Sequence, residues 1–178
     1  MRIVTVYSVL GTPYLTLMPV MARDRLALGA AGYGALLACV GIGGVAGALV
    51  LAAIGDRIAR GLMLRIASFA FSGFLIVFSF VRSVALAYPV LLAVGFTMIL
   101  NNALANSTLQ HLVPNELRGR MMAAYSFVVV GLSSVIGSLV AGSVAHAIGV
   151  SWAIGGGGAI MFVYAYWIFE RKRELRTV

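Results

Sequence analysis

Residues 26–55 read LALGAAGYGALLACVGIGGVAGALVLAAIG, thirty consecutive positions without Asp, Glu, Lys or Arg. A helix crossing a hydrocarbon core of about 30 Å needs about 20 mostly apolar residues, so this stretch is long enough to span a bilayer. It is also too apolar to be one face of a water-facing helix. Outward from it the pattern recurs, with charge-free intervals at 3–22, 66–81, 83–115 and 121–169. The 66–81 interval extends back through Leu62 once Arg65 carries its charge to the interface on its aliphatic stem. The last interval is too long for one crossing and is broken at Gly149-Val150-Ser151, which gives two helices and six spans in all.

Composition points the same way. The 178 residues are 62% hydrophobic and 10% charged, against about 45–50% apolar and about 25% charged in a soluble domain. Mean hydropathy is +1.04. The net charge of +8 therefore does not indicate a soluble nucleic-acid-binding domain, and disorder or a disulfide scaffold is excluded with it. A single Cys39 cannot form an internal disulfide and reads as a small packing residue. The first interval follows Arg2 as a secretory leader would, but Pro13 and Pro19 interrupt it and its end lacks a small-x-small cleavage site.

Short cytoplasmic loops retain Lys and Arg, which orients the six spans. One face collects Arg2, then Arg57, Arg60 and Arg65, then Arg118 and Arg120, then Arg171, Lys172, Arg173 and Arg176. The other holds only Arg23, Arg25 and Arg82. Both termini are expected in the cytoplasm. Trp152 and Trp167 bracket the last helix about 22 Å apart at 1.5 Å per residue, the spacing of interfacial anchors. The expected layout is one six-helix transmembrane domain, 1–178, with helices at about 3–22, 30–54, 62–82, 84–111, 120–148 and 152–169, and a basic cytoplasmic tail at 170–178.

Shifting the sequence by 90 positions lays Val40-Gly41-Ile42-Gly43-Gly44-Val45-Ala46-Gly47-Ala48-Leu49-Val50 on Val130-Gly131-Leu132-Ser133-Ser134-Val135-Ile136-Gly137-Ser138-Leu139-Val140, with six of eleven pairs identical. The offset relates the second helix to the fifth, so the repeating unit is three helices. Three being odd, the two units run through the membrane in opposite senses. Small residues at four-residue spacing, Gly43/Gly47, Ser133/Gly137 and Ser138/Gly142, let helix backbones approach closely in lipid. Gly41-Ile42-Gly43-Gly44 has the look of a dinucleotide loop, but no strand precedes it, and helix packing is the better reading. Gly155-Gly156-Gly157-Gly158 in the last helix argues for close contact or local bending.

Polar side chains are costly in hydrocarbon unless they face protein or water, and here they concentrate on two helices. The first carries Thr5, Ser8, Thr12 and Thr16 along one stripe, with Tyr7 and Tyr14 on another face. The fourth carries Asn102, Asn106 and Gln110 at steps of four, with Thr97, Asn101 and Thr108 beside them. Helices two, three and five are almost entirely apolar or small. Thr and Ser can instead bond their own backbone, and an Asn can glue two helices. As a stripe on paired helices, a cavity wall is favoured, giving a substrate pathway of Thr12, Thr16, Thr97, Asn101, Asn102 and Asn106. Pro13 and Pro19 permit a bend in the first helix, as suits a gating element. No Asp or Glu lies within a span, so a proton-coupling carboxylate must come from another polypeptide segment. His111 and His146 fall toward span ends, where an interfacial role is the commoner one for histidine.

The loop after the second helix reads Gly55-Asp56-Arg57-Ile58-Ala59-Arg60-Gly61, and that after the fourth Val113-Pro114-Asn115-Glu116-Leu117-Arg118-Gly119-Arg120-Met121-Met122-Ala123. The first resembles the signature loop of the major facilitator superfamily, with Ala52 where that pattern has Gly. The second is similar to the matching loop in the drug-export branch that includes macrolide and siderophore exporters. The resemblance covers nearly the whole chain, as the C-terminal six-helix half of a twelve-helix transporter. It implies an all-α membrane fold of two inverted three-helix repeats and efflux of small amphipathic molecules by alternating access, without cofactor or metal. It further implies a conformational latch at Asp56, Arg57, Arg60, Glu116, Arg118 and Arg120. Independently, Asp56 beside a helix N-terminus meets the positive end of its dipole, and Pro114 suits a first helical turn.

The expected partners are the lipid bilayer, a small-molecule substrate and a second six-helix half on the same or a separate polypeptide, with no nucleic acid. One half presents one wall of a central site, so the chain is expected to be a fragment or to pair. The alternative is a non-transporting membrane scaffold or a degenerate transporter remnant. Catalysis is not expected, since no nucleophile-base pair or metal cluster occurs in the spans.

Overall fold

The computed structural model describes residues 10–11, 13–55, 60–112, 118–127, 131 and 133–171. Among the described residues seven helices follow in order: α1 Pro13–Asp24, α2 Ala30–Ile54, α3 Arg60–Phe80, α4 Val84–Leu112, α5 Arg118–Ser126, α6 Ser133–Ile148 and α7 Val150–Arg171. Ala30–Ile54, Gly61–Phe80 and Val84–Ser107 are long and apolar enough to cross a membrane, and Val135–Ile148 is a shorter apolar helix. The fold is that of an all-α membrane protein. Glycines and tyrosines dilute the apolar character of α7, but its 22 residues still reach about 33 Å at 1.5 Å per residue. Within the stretch expected as one helix over 120–148, the described residues include α5 and α6, with Phe127 and Gly131 in wider π-type turns. Gly149 alone joins α6 to α7, at φ +95, a left-handed conformation that favours glycine.

Glycine sets which helices touch. The buried stripe of α2 is Leu36, Val40, Gly43, Gly44 and Gly47. A Cβ on Gly47 would lie 2.6 Å from the Phe96 carbonyl oxygen, one on Gly43 would strike the Leu92 carbonyl, and one on Gly95 would strike that of Val40. Backbones of α2 and α4 thus meet directly, and the contacts of Gly43 with Leu92, Gly44 with Gly95 and Gly47 with Phe96 rise together along both chains, so the two helices run parallel. Between α3 and α7 the register runs the other way. Phe80 meets Trp152 edge to face at 6.3 Å between ring centroids, and Phe69 meets Phe162 at 5.0 Å. The glycine run of α7 serves this same contact. Gly155 faces Ser79 Oγ, where a Cβ would come within 2.7 Å, Gly158 faces the Ser72 carbonyl at 3.2 Å, and Gly157 faces the Leu10 carbonyl at 3.3 Å.

Five of the helix pairings follow the exchange expected of an inverted repeat. Exchanging first for fourth, second for fifth and third for sixth spans turns the α2–α4 contact into α6–α1 and the α3–α4 contact into α7–α1, and maps α3–α7 onto itself. All of these contacts are present. Helices α1 and α4 are central, with α3 and α7 packed behind them. The core between them holds Met18, Met21, Leu75, Phe78, Leu91, Val94 and Met161, each almost wholly buried. Facing outward are Ile42, Val45, Leu49, Ile66, Val77, Leu139, Ile160 and Val163. In water that much exposed apolar surface would drive association; in a bilayer it is the lipid-facing surface.

Candidate functional site

The two central helices each open along a narrow strip. In α1, Tyr14, Leu17, Met18, Met21 and Ala22 are buried, while Thr16, Pro19 and Arg23 are exposed on the opposite side. In α4, the stretch from 93 to 107 has one exposed residue, Asn102, with Asn106 half-buried one turn further. The exposed set on α1 includes Thr16, and the one exposed residue of α4 from 93 to 107 is Asn102, whereas the outer surfaces of α2, α3, α6 and α7 are dominated by Ile, Leu, Val and aromatic side chains.

Of the six expected pathway residues, Thr12 lies outside the described residues, and the other five separate into two groups. Thr16 hydroxyl sits 3.0 Å from Ser138 Oγ of α6, with either able to donate. Asn102 is exposed and has no hydrogen-bond partner among the described residues. With Asn106 it forms the α4 part of the open strip. Thr97 and Asn101 instead point into the bundle. Thr97 donates to the Ala93 carbonyl at 2.8 Å, the local backbone bond open to any helical threonine. Asn101 Nδ2 donates to Ser68 Oγ of α3 at 2.8 Å, and Ser72 Oγ donates to the Ser68 carbonyl at 2.9 Å. These groups are buried and satisfied, and they tie α4 to α3 as helix-helix glue. One step of 100° along a helix separates Asn101 from Asn102, enough to place one amide inside and the next outside.

Tyr14 connects the two central helices. Its hydroxyl donates to Met98 Sδ at 3.5 Å, and its ring meets Phe71 edge to face at 6.4 Å. Because α1 and α2 are consecutive and antiparallel while α2 and α4 are parallel, α1 and α4 run in opposite directions past this contact. Thr16 lies two residues beyond Tyr14 and Asn102 four beyond Met98, in opposite directions. The two polar spots are therefore about 9 Å apart along the helix axes at 1.5 Å per residue.

Of the expected latch, Asp56, Arg57 and Glu116 lie outside the described residues. Arg60 begins α3, while Arg118 and Arg120 lie in the first turn of α5. The antiparallel α3–α7 register places the start of α3 and the end of α7 at one face of the bundle, and Phe80, Arg82 and Trp152 at the other. The one described ion pair is Arg23 Nε with Asp24 at 2.7 Å, exposed at the end of α1. That hydrogen bond and charge raise the Arg23 pKa above its ordinary value. Sequence reasoning missed the buried hydroxyls of α3, Ser68, Ser72 and Ser79, whose spacings of four and seven were a helical signal. It also read Ser138 as a packing residue only.

An all-helical bundle with helices long and apolar enough to cross a bilayer and an apolar outer surface is a multi-pass membrane protein. Residues 1–176 match the family described as transmembrane secretion effector, a major facilitator family, and the chain belongs to it. A comparison with curated proteins finds no match.

Proposed function

We propose that this chain forms one wall of an efflux transporter for small amphipathic molecules, working by alternating access against a second six-helix half. The observation that carries the reading is the polar chemistry left open on α1 and α4: Thr16 of α1 is exposed beside Ser138 of α6, and Asn102 is exposed on α4 with Asn106 half-buried one turn on. An exposed amide facing lipid would be costly, whereas one facing a cavity between two halves is solvated or met by substrate. Thr12, four positions before Thr16 in the sequence, is assigned to the same pathway.

The protein resides in the cell membrane with both termini cytoplasmic, a reading supported by the basic residues grouped at the ends of the α2–α3 and α4–α5 links and after α7. Asp56, Arg57 and Arg60, with Glu116, Arg118 and Arg120, form the latch that holds the cytoplasmic side closed in one state. If the transporter is an antiporter, its titrating carboxylate comes from the opposite wall.

Substrate-dependent efflux in cells co-expressing this chain with a second half, lost in Asn102→Ala while membrane abundance is unchanged, tests the reading. Efflux identical in the variant would support a scaffold instead. Asp56→Asn is expected to raise the labelling of cytoplasmic-side cysteines placed in the pathway; unchanged labelling would remove the latch role.

A further inference from the structure

Resting on the transport reading above, we infer that this wall recognises uncharged amphiphiles carrying hydrogen-bonding groups at two ends of an apolar middle. Between its ends the wall carries no charge, Arg23 standing two turns beyond Thr16 at the end of α1. Residues 3–22, 26–55, 66–81, 83–115 and 121–169 contain no Asp, Glu, Lys or Arg, so no spanning segment offers a counter-charge. A cation or anion leaving water for this wall would give up its hydration for dipoles alone, and an unpaired charge in a poorly solvated site is strongly disfavoured. A neutral amide, ester or hydroxyl loses far less and regains its hydrogen bonds.

The wall offers two such partners. Asn102 presents a carboxamide with two donors and an acceptor. Within the Thr16–Ser138 pair, 3.0 Å apart, one hydroxyl proton is used internally and the other remains for a ligand. Between these spots sits Met98, half-buried and holding the Tyr14 hydroxyl through its sulfur. A thioether is polarizable and conforms to an apolar or aromatic ligand body. Polar, apolar, polar over about 9 Å along the helix axes is the complement of a ligand with the same order of groups.

The test uses the full chain in lipid nanodiscs and a matched pair of fluorescent naphthalene probes, one ending in a primary carboxamide and the other in a quaternary ammonium. The carboxamide probe is expected to bind at least tenfold more tightly, equally at pH 6 and pH 8. Asn102→Ala is expected to weaken it about tenfold. Asn102→Gln, which keeps the amide, retains most of the binding and controls for folding together with an unchanged unfolding midpoint. Asn102→Asp is expected to reverse the preference at pH 8 and to lose that reversal as the pH falls and the new carboxylate protonates. Thr16→Val weakens the carboxamide probe alone. Equal or tighter binding of the ammonium probe to the wild type, or an Asn102→Asp variant with unchanged preference, overturns this inference and leaves the transport reading standing. Binding of neither probe counts against both.

Discussion

Substituting Gly47 by alanine places a methyl group where the α4 backbone already is. Its Cβ would be 2.6 Å from the Phe96 carbonyl oxygen and 3.3 Å from Phe96 Cα. The first distance is about 0.8 Å short of the 3.4 Å at which ordinary contact begins. The obstacle is main chain, so no side-chain rotation relieves it, and α2 and α4 must part along the stripe from Leu36 to Gly47. A gap of 0.5–1 Å forfeits roughly a quarter to a half of each contact's dispersion energy, and overpacking of a close-fitted core costs about 1–3 kcal/mol. Alanine also has better helix propensity than glycine, by roughly 0.5–1 kcal/mol. Gly41 supplies the control, since it lies on the same helix with nothing within 4 Å of its would-be Cβ. Both variants carry the same propensity gain, so their difference isolates the packing cost. Gly47→Ala is expected to be about 1–3 kcal/mol less stable than Gly41→Ala in equilibrium unfolding of the purified chain in mixed micelles, followed by Trp152 and Trp167 fluorescence. Equal midpoints would refute the claim that backbone contact at this glycine holds α2 to α4.

The remaining helix contacts lend themselves to similar measurements. Asn101→Ala and Ser68→Ala, combined in a double-mutant cycle, should show a coupling of about 0.5–1.7 kcal/mol, and additive behaviour would mean their hydrogen bond contributes nothing. Gly155→Ala crowds Ser79 Oγ at 2.7 Å, so Ser79→Ala should restore part of the lost thermal stability; no rescue would place the strain elsewhere. Gly149→Ala forces a Cβ onto φ +95 and should cost roughly 1 kcal/mol of stability, measured against Gly156→Ala, which meets nothing within 4 Å. Asp24→Asn breaks an exposed pair and should leave the unfolding midpoint unchanged.

The all-α membrane fold was legible from charge-free runs because a bilayer imposes a length on every crossing, and a 30-residue run without charge has no place on the surface of a water-soluble domain. Helix α2 begins at Ala30 and ends at Ile54, bounded in the sequence by Gly29 and by the charged loop after Gly55. The polar residues of α1 and α4 were legible as a pattern on two helices, but their individual surroundings were not. Asn101 and Asn102 are chemically identical neighbours, and only the position of α3 decides that the first bonds Ser68 while the second stays exposed. Periodicity places residues on a face but does not say which face has a neighbour. The glycine run likewise announced a close contact without naming Ser79, Ser72 or Leu10 as what approaches it. The π-type turns at Phe127 and Gly131 had no counterpart in the apolar pattern, which reads straight through them.

Gly149 has a bearing on how the chain enters its membrane. A joint of one residue leaves no slack, so α6 cannot settle in the lipid while α7 waits outside. The two are therefore expected to enter the bilayer as a single hairpin, and lengthening the joint with a flexible insert would relax that coupling.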